Sequence, residues 1–120
     1  MHGTGASLDI NQRDYVITIK VGANLDLSLH DLFMKAIRYG QGSIRNRIVV
    51  DLEKTQRIFD SGLVLLMMLD LRSWRKSCKV RIINCSVDLE QRIHQCLAPG
   101  LFNLSQDNQQ SYDRIAAQHS

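Results

Sequence analysis

Apolar and polar residues alternate from Tyr15 to Val21, the period-2 pattern of a strand with one buried face, and Leu8 to Ile10 precede it across the polar turn Asn11 to Asp14. An N-terminal hairpin is predicted. The period then changes: Leu29, Leu32, Phe33, Ala36 and Ile37 share one face of a helix. Ser28 with Asp31 three residues on, and Leu27 with Leu32 at the positions of a hydrophobic staple, place its start at Leu29. Gly40 and Gly42 stop it. Ile48 to Leu52 has too little polar alternation for an exposed edge, which predicts a central strand covered on both faces.

From about Gly62 to Ser77 the chain reads as a second helix, apolar almost all round through Leu71 apart from Asp70, so its first half is buried or docks onto something. Lys79 to Asn84 supply another strand. Ser86 caps a third helix, with Asp88 near its positive end and Leu89, Ile93, Cys96 and Leu97 facing inward. Pro99 and Gly100 end it, and Leu101 to Leu104 add a short final strand. Strands alternating with helices imply parallel pairing through helical crossovers. The expected fold is α/β: a single domain over residues 7–105, a mixed, mostly parallel sheet with helices packed on it. Residues 106–120 form a polar C-terminal tail in which only Tyr112, Ile115 and Ala116 hint at a helix.

Composition narrows the class. A chain of 120 residues, 44% hydrophobic and 22% charged, matches an ordinary globular domain that needs no disulfide or metal staple. Its longest apolar run, Leu63 to Leu69, is far short of the roughly 20 residues that span a bilayer, so no integral membrane segment is expected. Met1 to Ala6 lack the features of a secretory signal. Cys78, Cys85 and Cys96 are odd in number and match no zinc spacing, which points to structural thiols in a reduced, cytoplasmic protein. A net charge of +3 does not by itself argue for direct nucleic-acid binding. The cluster Arg72, Arg75, Lys76, Lys79 and Arg81 reads as solvated cations, most of them at a helix C-terminus. Glycine-rich phosphate loops and paired catalytic carboxylates are missing, and Glu90 with His94 is too few ligands for a metal. No cofactor, metal or catalytic residue is expected.

The richest stretch runs from Arg47 to Leu69: a strand, a turn and an apolar helix, with Asp60 and Ser61 offering polar groups where the helix begins. Either is an ordinary cap residue. The order VVDL, a turn ending in DSGL, an apolar helix and RIINCS, reinforced by Gly100, Leu101 and Phe102, resembles the STAS domain of bacterial anti-sigma factor antagonists over roughly Leu8 to Leu104. The resemblance implies a regulatory module that binds an anti-sigma factor or serine kinase when unphosphorylated and releases it when a turn serine is phosphorylated. The family's turn reads Asp-Ser-Ser-Gly-Leu, with the first serine modified. Counted without a gap from Asp51 and Leu52, this chain places Phe59 at the Asp, Asp60 at the modified serine and Ser61 at the second serine. With one residue deleted, Asp60 keeps the Asp position and Ser61 becomes the acceptor. The two registers differ physically, because a phosphate carries about −1.5 to −2 charge and three acceptor oxygens, whereas a carboxylate is only a partial imitation.

By the same resemblance the partner interface is expected at Asn24 and Asp26, before the first helix, and at Phe59, Asp60, Ser61, Gly62 and Leu63. An alternative from a different class is a STAS subunit of an ABC-type lipid transport assembly, with the same helix face docked on a transporter ATPase.

Overall fold

The computed structural model describes residues 5–75, 79–96 and 103–104, with side chains described over 5–70 and 79–95. β1 (Ser7–Asn11) and β2 (Val16–Lys20) form the hairpin. Its turn is held by Asn11, whose Oδ1 accepts the Asp14 N–H at 3.1 Å while its Nδ2 donates to the Asp14 carboxylate at 3.0 Å. Tyr15 closes the turn in the left-handed region, with φ of 58°.

β3 (Asn24–Leu25) and a 3-10 turn (Leu27–Leu29) lead into α1 (His30–Gly40). β4 (Arg47–Asp51), β5 (Arg57–Ile58), α2 (Asp60–Arg75), β6 (Lys79–Ile83), α3 (Val87–Cys96) and β7 (Asn103–Leu104) follow. The main sheet runs β1-β2-β4-β6-β7, antiparallel only between β1 and β2, and β3 with β5 makes a separate two-stranded parallel pair. This is the α/β fold with a mostly parallel mixed sheet that the strand-helix alternation implies.

Register builds the core. Ile17, Ile48 and Val80 stand side by side across β2, β4 and β6, as do Ile19, Val50 and Ile82, and all six are buried. Onto these rows pack Phe33, Ala36 and Ile37 of α1 and Leu63, Leu65, Leu66 and Leu69 of α2. Each such side chain contributes about 1.5–3 kcal/mol when fully buried. α3 contacts β5 and buries Leu89 and Ile93. Asn84, at φ 56°, turns the chain out of β6 and donates its side-chain amide to Asp51 at 3.0 Å, which ties the ends of β4 and β6 together. Ser86 caps α3 as its sequence implies, with its hydroxyl accepting the Leu89 N–H.

Two expectations are corrected. β4 is central, but among the described residues only one of its faces is fully covered: Ile48 and Val50 are buried, while Val49 is half-buried between Thr18 and the exposed Arg81 on the opposite face. The apolar run concealed this, because the polar residues of that face lie on neighbouring strands. The start of α1 also differs. Asp26, not Ser28, caps the 3-10 turn, its carboxylate accepting the Ser28 N–H at 2.9 Å. Leu27 stays 61% exposed, so it forms no staple, and α1 begins at His30.

Lys79 and Arg81 of the basic cluster lie on β6, the strand expected from Lys79 onward. The side chains of Arg72 and Arg75, with Lys76, Cys78, Leu97, Pro99 to Phe102 and the tail 106–120, fall outside the described residues. Among the described residues, no helix is long and apolar enough to cross a membrane.

Candidate docking surface at the start of α2

β3 and β5 are too short to show any periodicity, yet they decide where the turn sits. Leu25 pairs with Ile58 and Asn24 with Arg57. The Ala23 carbonyl accepts from the N–H groups of Gln56 and Arg57, and the Thr55 hydroxyl donates to the Gly22 carbonyl at 2.9 Å from a buried position. These bonds lay the segment before α1 against the segment before α2. The Phe59 N–H then donates to the Leu25 carbonyl at 3.0 Å, and the chain turns into α2.

Gly62 fixes how close that approach is. A Cβ there would lie 2.2 Å from the Leu25 carbonyl oxygen and 2.7 Å from its carbon, which no side-chain rotation can relieve. The absence of a side chain lets α2 start directly against β3. Gly62 and Leu63, both expected at an interface, are buried and act as the support beneath it.

Ser61 and Asp60 face different neighbours, as successive helix positions about 100° apart must. The Ser61 hydroxyl accepts the Leu27 N–H at 3.0 Å, joining α2 to the segment that enters α1. That contact is not an ordinary N-cap of its own helix, since it crosses to another element. Asp60 turns toward α3, where the Arg92 guanidinium donates to its carboxylate at 2.9 Å. Arg92 also donates through Nε to the Ile58 carbonyl. Arg57 lies over the Phe59 ring, 5.9 Å from its centre.

Around these polar groups apolar side chains remain in water. Leu27 is 61% exposed, Val64 58%, and Phe59 and Met67 39% each. Val64 and Met67 follow Ser61 at intervals of three, so they continue its face of α2 outward. Asn24 is exposed and Asp26 half-buried at the margin. The structure thus brings Asn24, Asp26, Phe59, Asp60 and Ser61 into one region and adds Leu27, Val64, Met67 and Arg92. Spacing from Ser61 gives a signal for Val64 and Met67. Arg92 carries a weaker one, being three residues after the inward Leu89 and thus beside the buried stripe of α3.

Burial, with the Glu90 charge adding to it, pushes the Cys85 thiol up to about 12, so it stays protonated. Burial also raises the Asp70 carboxyl above its ordinary value. A hollow at the ends of β2 and β4 is lined by Lys20, Asp51, Glu53 and Lys54, but Asp51 is already engaged by the Glu53 N–H and Asn84. Among the described residues, no group of three or more His, Cys, Asp or Glu is placed to hold a metal.

No family model matches the chain, and no curated protein matches it in sequence. Solved structures do. The anti-sigma factor antagonist SpoIIAA in its unphosphorylated form is 14% identical, with 92% of this chain and 97% of that chain covered and a TM-score of 0.64. SpoIIAA of Bacillus in its phosphorylated form is 15% identical, with 92% and 98% covered and a TM-score of 0.61. A serine-to-glutamate variant of RsbS from Moorella thermoacetica is 10% identical, with 95% and 97% covered and a TM-score of 0.71. An anti-sigma-factor antagonist (STAS) domain protein from Planctomyces limnophilus is 14% identical, with 87% and 92% covered and a TM-score of 0.62. The chain has the STAS fold.

Proposed function

We propose that this protein is a regulatory binding module of the anti-sigma factor antagonist type, docking an anti-sigma factor or serine kinase through the start of α2, with Ser61 as the phosphoacceptor that ends the contact. One observation carries the reading. The single hydroxyl of the turn stands at a helix N-terminus amid exposed Leu27, Phe59, Val64 and Met67.

The physics of such a switch is direct. Covering those apolar groups drives docking at about 25 cal/mol per Å² of apolar surface removed from water. A phosphate on Ser61 adds about −1.5 to −2 charge and three oxygens that must be dehydrated if the partner is to close over them. The positive end of α2 tolerates the phosphate in the free protein, so modification alters the surface without unfolding it. Support for Ser61 as the acceptor, rather than Asp60 as a permanent charge at the acceptor position, comes from their directions: Asp60 turns to Arg92 of α3, while Ser61 faces the exposed Leu27.

The test is recovery of the partner from native cells with wild-type, Ser61→Ala, Ser61→Asp and Val64→Asp proteins. Ser61→Ala keeps the partner, whereas Ser61→Asp and Val64→Asp lose at least tenfold, without loss of fold because both sites lie outside the core. Equal recovery by all four proteins contradicts the proposal. A transport ATPase recovered regardless of Ser61 assigns the protein to the lipid-transport alternative.

A further inference from the structure

We propose that the end of the molecule opposite the start of α2 is a binding surface for anionic lipid, at which Ile44 enters the bilayer interface and the cations around it meet headgroup phosphates. Parallel pairing assembles this end. β2, β4 and β6 all begin there, beside the hairpin turn and the last turn of α1. Arg13, Arg38, Arg45, Arg47 and Lys79 are exposed at this end, and among the described residues Asp14 is its only exposed carboxylate. The fold gathers these cations from separate elements, so no charge run marks them in the sequence.

Two features of this end call for an anion and an apolar phase together. Arg47 stands directly opposite Lys79 across β4 and β6. Like charges so placed repel, and an anion laid over them relieves the repulsion. Ile44 belongs to a residue type that is usually buried, yet it is 80% exposed in the loop between α1 and β4. That loop is held by its own hydrogen bonds. The Ser43 hydroxyl accepts the Arg45 N–H and the Ser43 carbonyl accepts the Asn46 N–H, both at 3.1 Å, while Asn46 Nδ2 donates to the Tyr39 carbonyl at 2.9 Å. Ile44 is therefore kept outside the core by an ordered backbone. Exposed Tyr15 and Tyr39 stand near it, with the Arg45 guanidinium over the Tyr15 ring, 5.5 Å from its centre. Tyr15, Ile44, Arg45, Arg47 and Lys79 line one hollow of about 320 Å³.

Cations alone would suit any polyanion. The aliphatic side chain decides the occupant, because it gains nothing from nucleic-acid phosphates, whereas at a membrane it reaches the acyl boundary with tyrosines at headgroup level and arginines on anionic phosphates. Exposed apolar groups rimmed by charge mark surfaces of this kind. The start of α2 lies at the other end of the strands and stays open while the protein is bound to lipid, so this surface works independently of the Ser61 switch.

The test is cosedimentation of the full chain with vesicles of phosphatidylcholine alone and of phosphatidylcholine mixed with an equal part of phosphatidylglycerol. Wild type is compared with Ile44→Ser, with Arg45→Gln combined with Arg47→Gln, and with Lys54→Gln, which removes one cation at the opposite end. Thermal melts confirm that each variant is folded. Binding is expected only with phosphatidylglycerol present, and it should weaken as salt rises. Each arginine removed should cost about fivefold in affinity, so the double variant loses at least tenfold. Ile44→Ser should lose at least threefold, and Lys54→Gln should stay within twofold of wild type. Binding to neither vesicle, or equally to both, overturns the proposal. So does a loss with Lys54→Gln equal to that of the double arginine variant, because net charge would then explain it. Wild-type affinity in Ile44→Ser also overturns it, by showing attraction of charge alone. A single-stranded oligonucleotide that binds through Arg45 and Arg47 where vesicles do not would assign the cations to nucleic acid and overturn the lipid assignment.

Discussion

Gly62→Ala should destabilise this protein, although the same change inside a helix ordinarily stabilises by about 0.5–1 kcal/mol. The sign depends on the 2.2 Å that separates the new Cβ from the Leu25 carbonyl oxygen. Ordinary contact begins near 3.4 Å, so α2 must retreat from β3 by more than 1 Å. Overpacking of this kind costs about 1–3 kcal/mol. Retreat also stretches the Phe59-to-Leu25 bond and the Leu27-to-Ser61 bond, both near 3.0 Å, each worth about 1 kcal/mol. With the helix gain subtracted, the net loss is about 2–4 kcal/mol, or roughly 10–20 °C in melting temperature for a domain of this size. Thermal and denaturant unfolding of the two proteins measure it. A variant melting at or above wild type would refute the close approach of α2 to Leu25, and with it the geometry that presents Ser61.

Three further outcomes follow from two buried groups. Cys85 should resist alkylation in the folded protein until denaturant is added, as read by site-mapped mass spectrometry. Burial holds its folded pKa at about 12, above the thiol's ordinary value of 9.0, so the unfolded chain loses this proton first and stability should fall as pH rises through that interval. Rapid labelling of the native protein would contradict this. Thr55→Val removes the hydroxyl that donates to the Gly22 carbonyl at a buried site, and should cost about 1–3 kcal/mol in denaturant unfolding because the carbonyl loses that donor.

Much of this was legible in the residues, and the parts that were not share a cause. The alternation of Tyr15 to Val21 and the i, i+3, i+4 stripe of α1 are periodic over several repeats, and the structure places their middles, Val16 to Lys20 in β2 and Phe33 to Ile37 in α1, as expected, while Tyr15 and Leu29 at their starts fall in turns. Asn24 to Leu25 and Arg57 to Ile58 are strands of two residues each, defined only by each other. No local pattern encodes them. The apolar run in β4 implied two covered faces, yet Thr18 and Arg81 beside Val49 decide that face, and they arrive from distant parts of the chain. At the site, the turn itself was visible in the sequence. Its support by Gly62 against Leu25, and the opposed directions of Asp60 and Ser61, depend on contacts more than thirty residues apart.

The central claim, a docking surface switched at Ser61, is tested most directly by site-mapped mass spectrometry of the protein isolated from its native cells with phosphate preserved, free and partner-bound fractions analysed separately. The account predicts phosphate on Ser61 in the free fraction and unmodified Ser61 in the bound one. An unmodified Ser61 under every growth condition, or equal phosphate in both fractions, would contradict it.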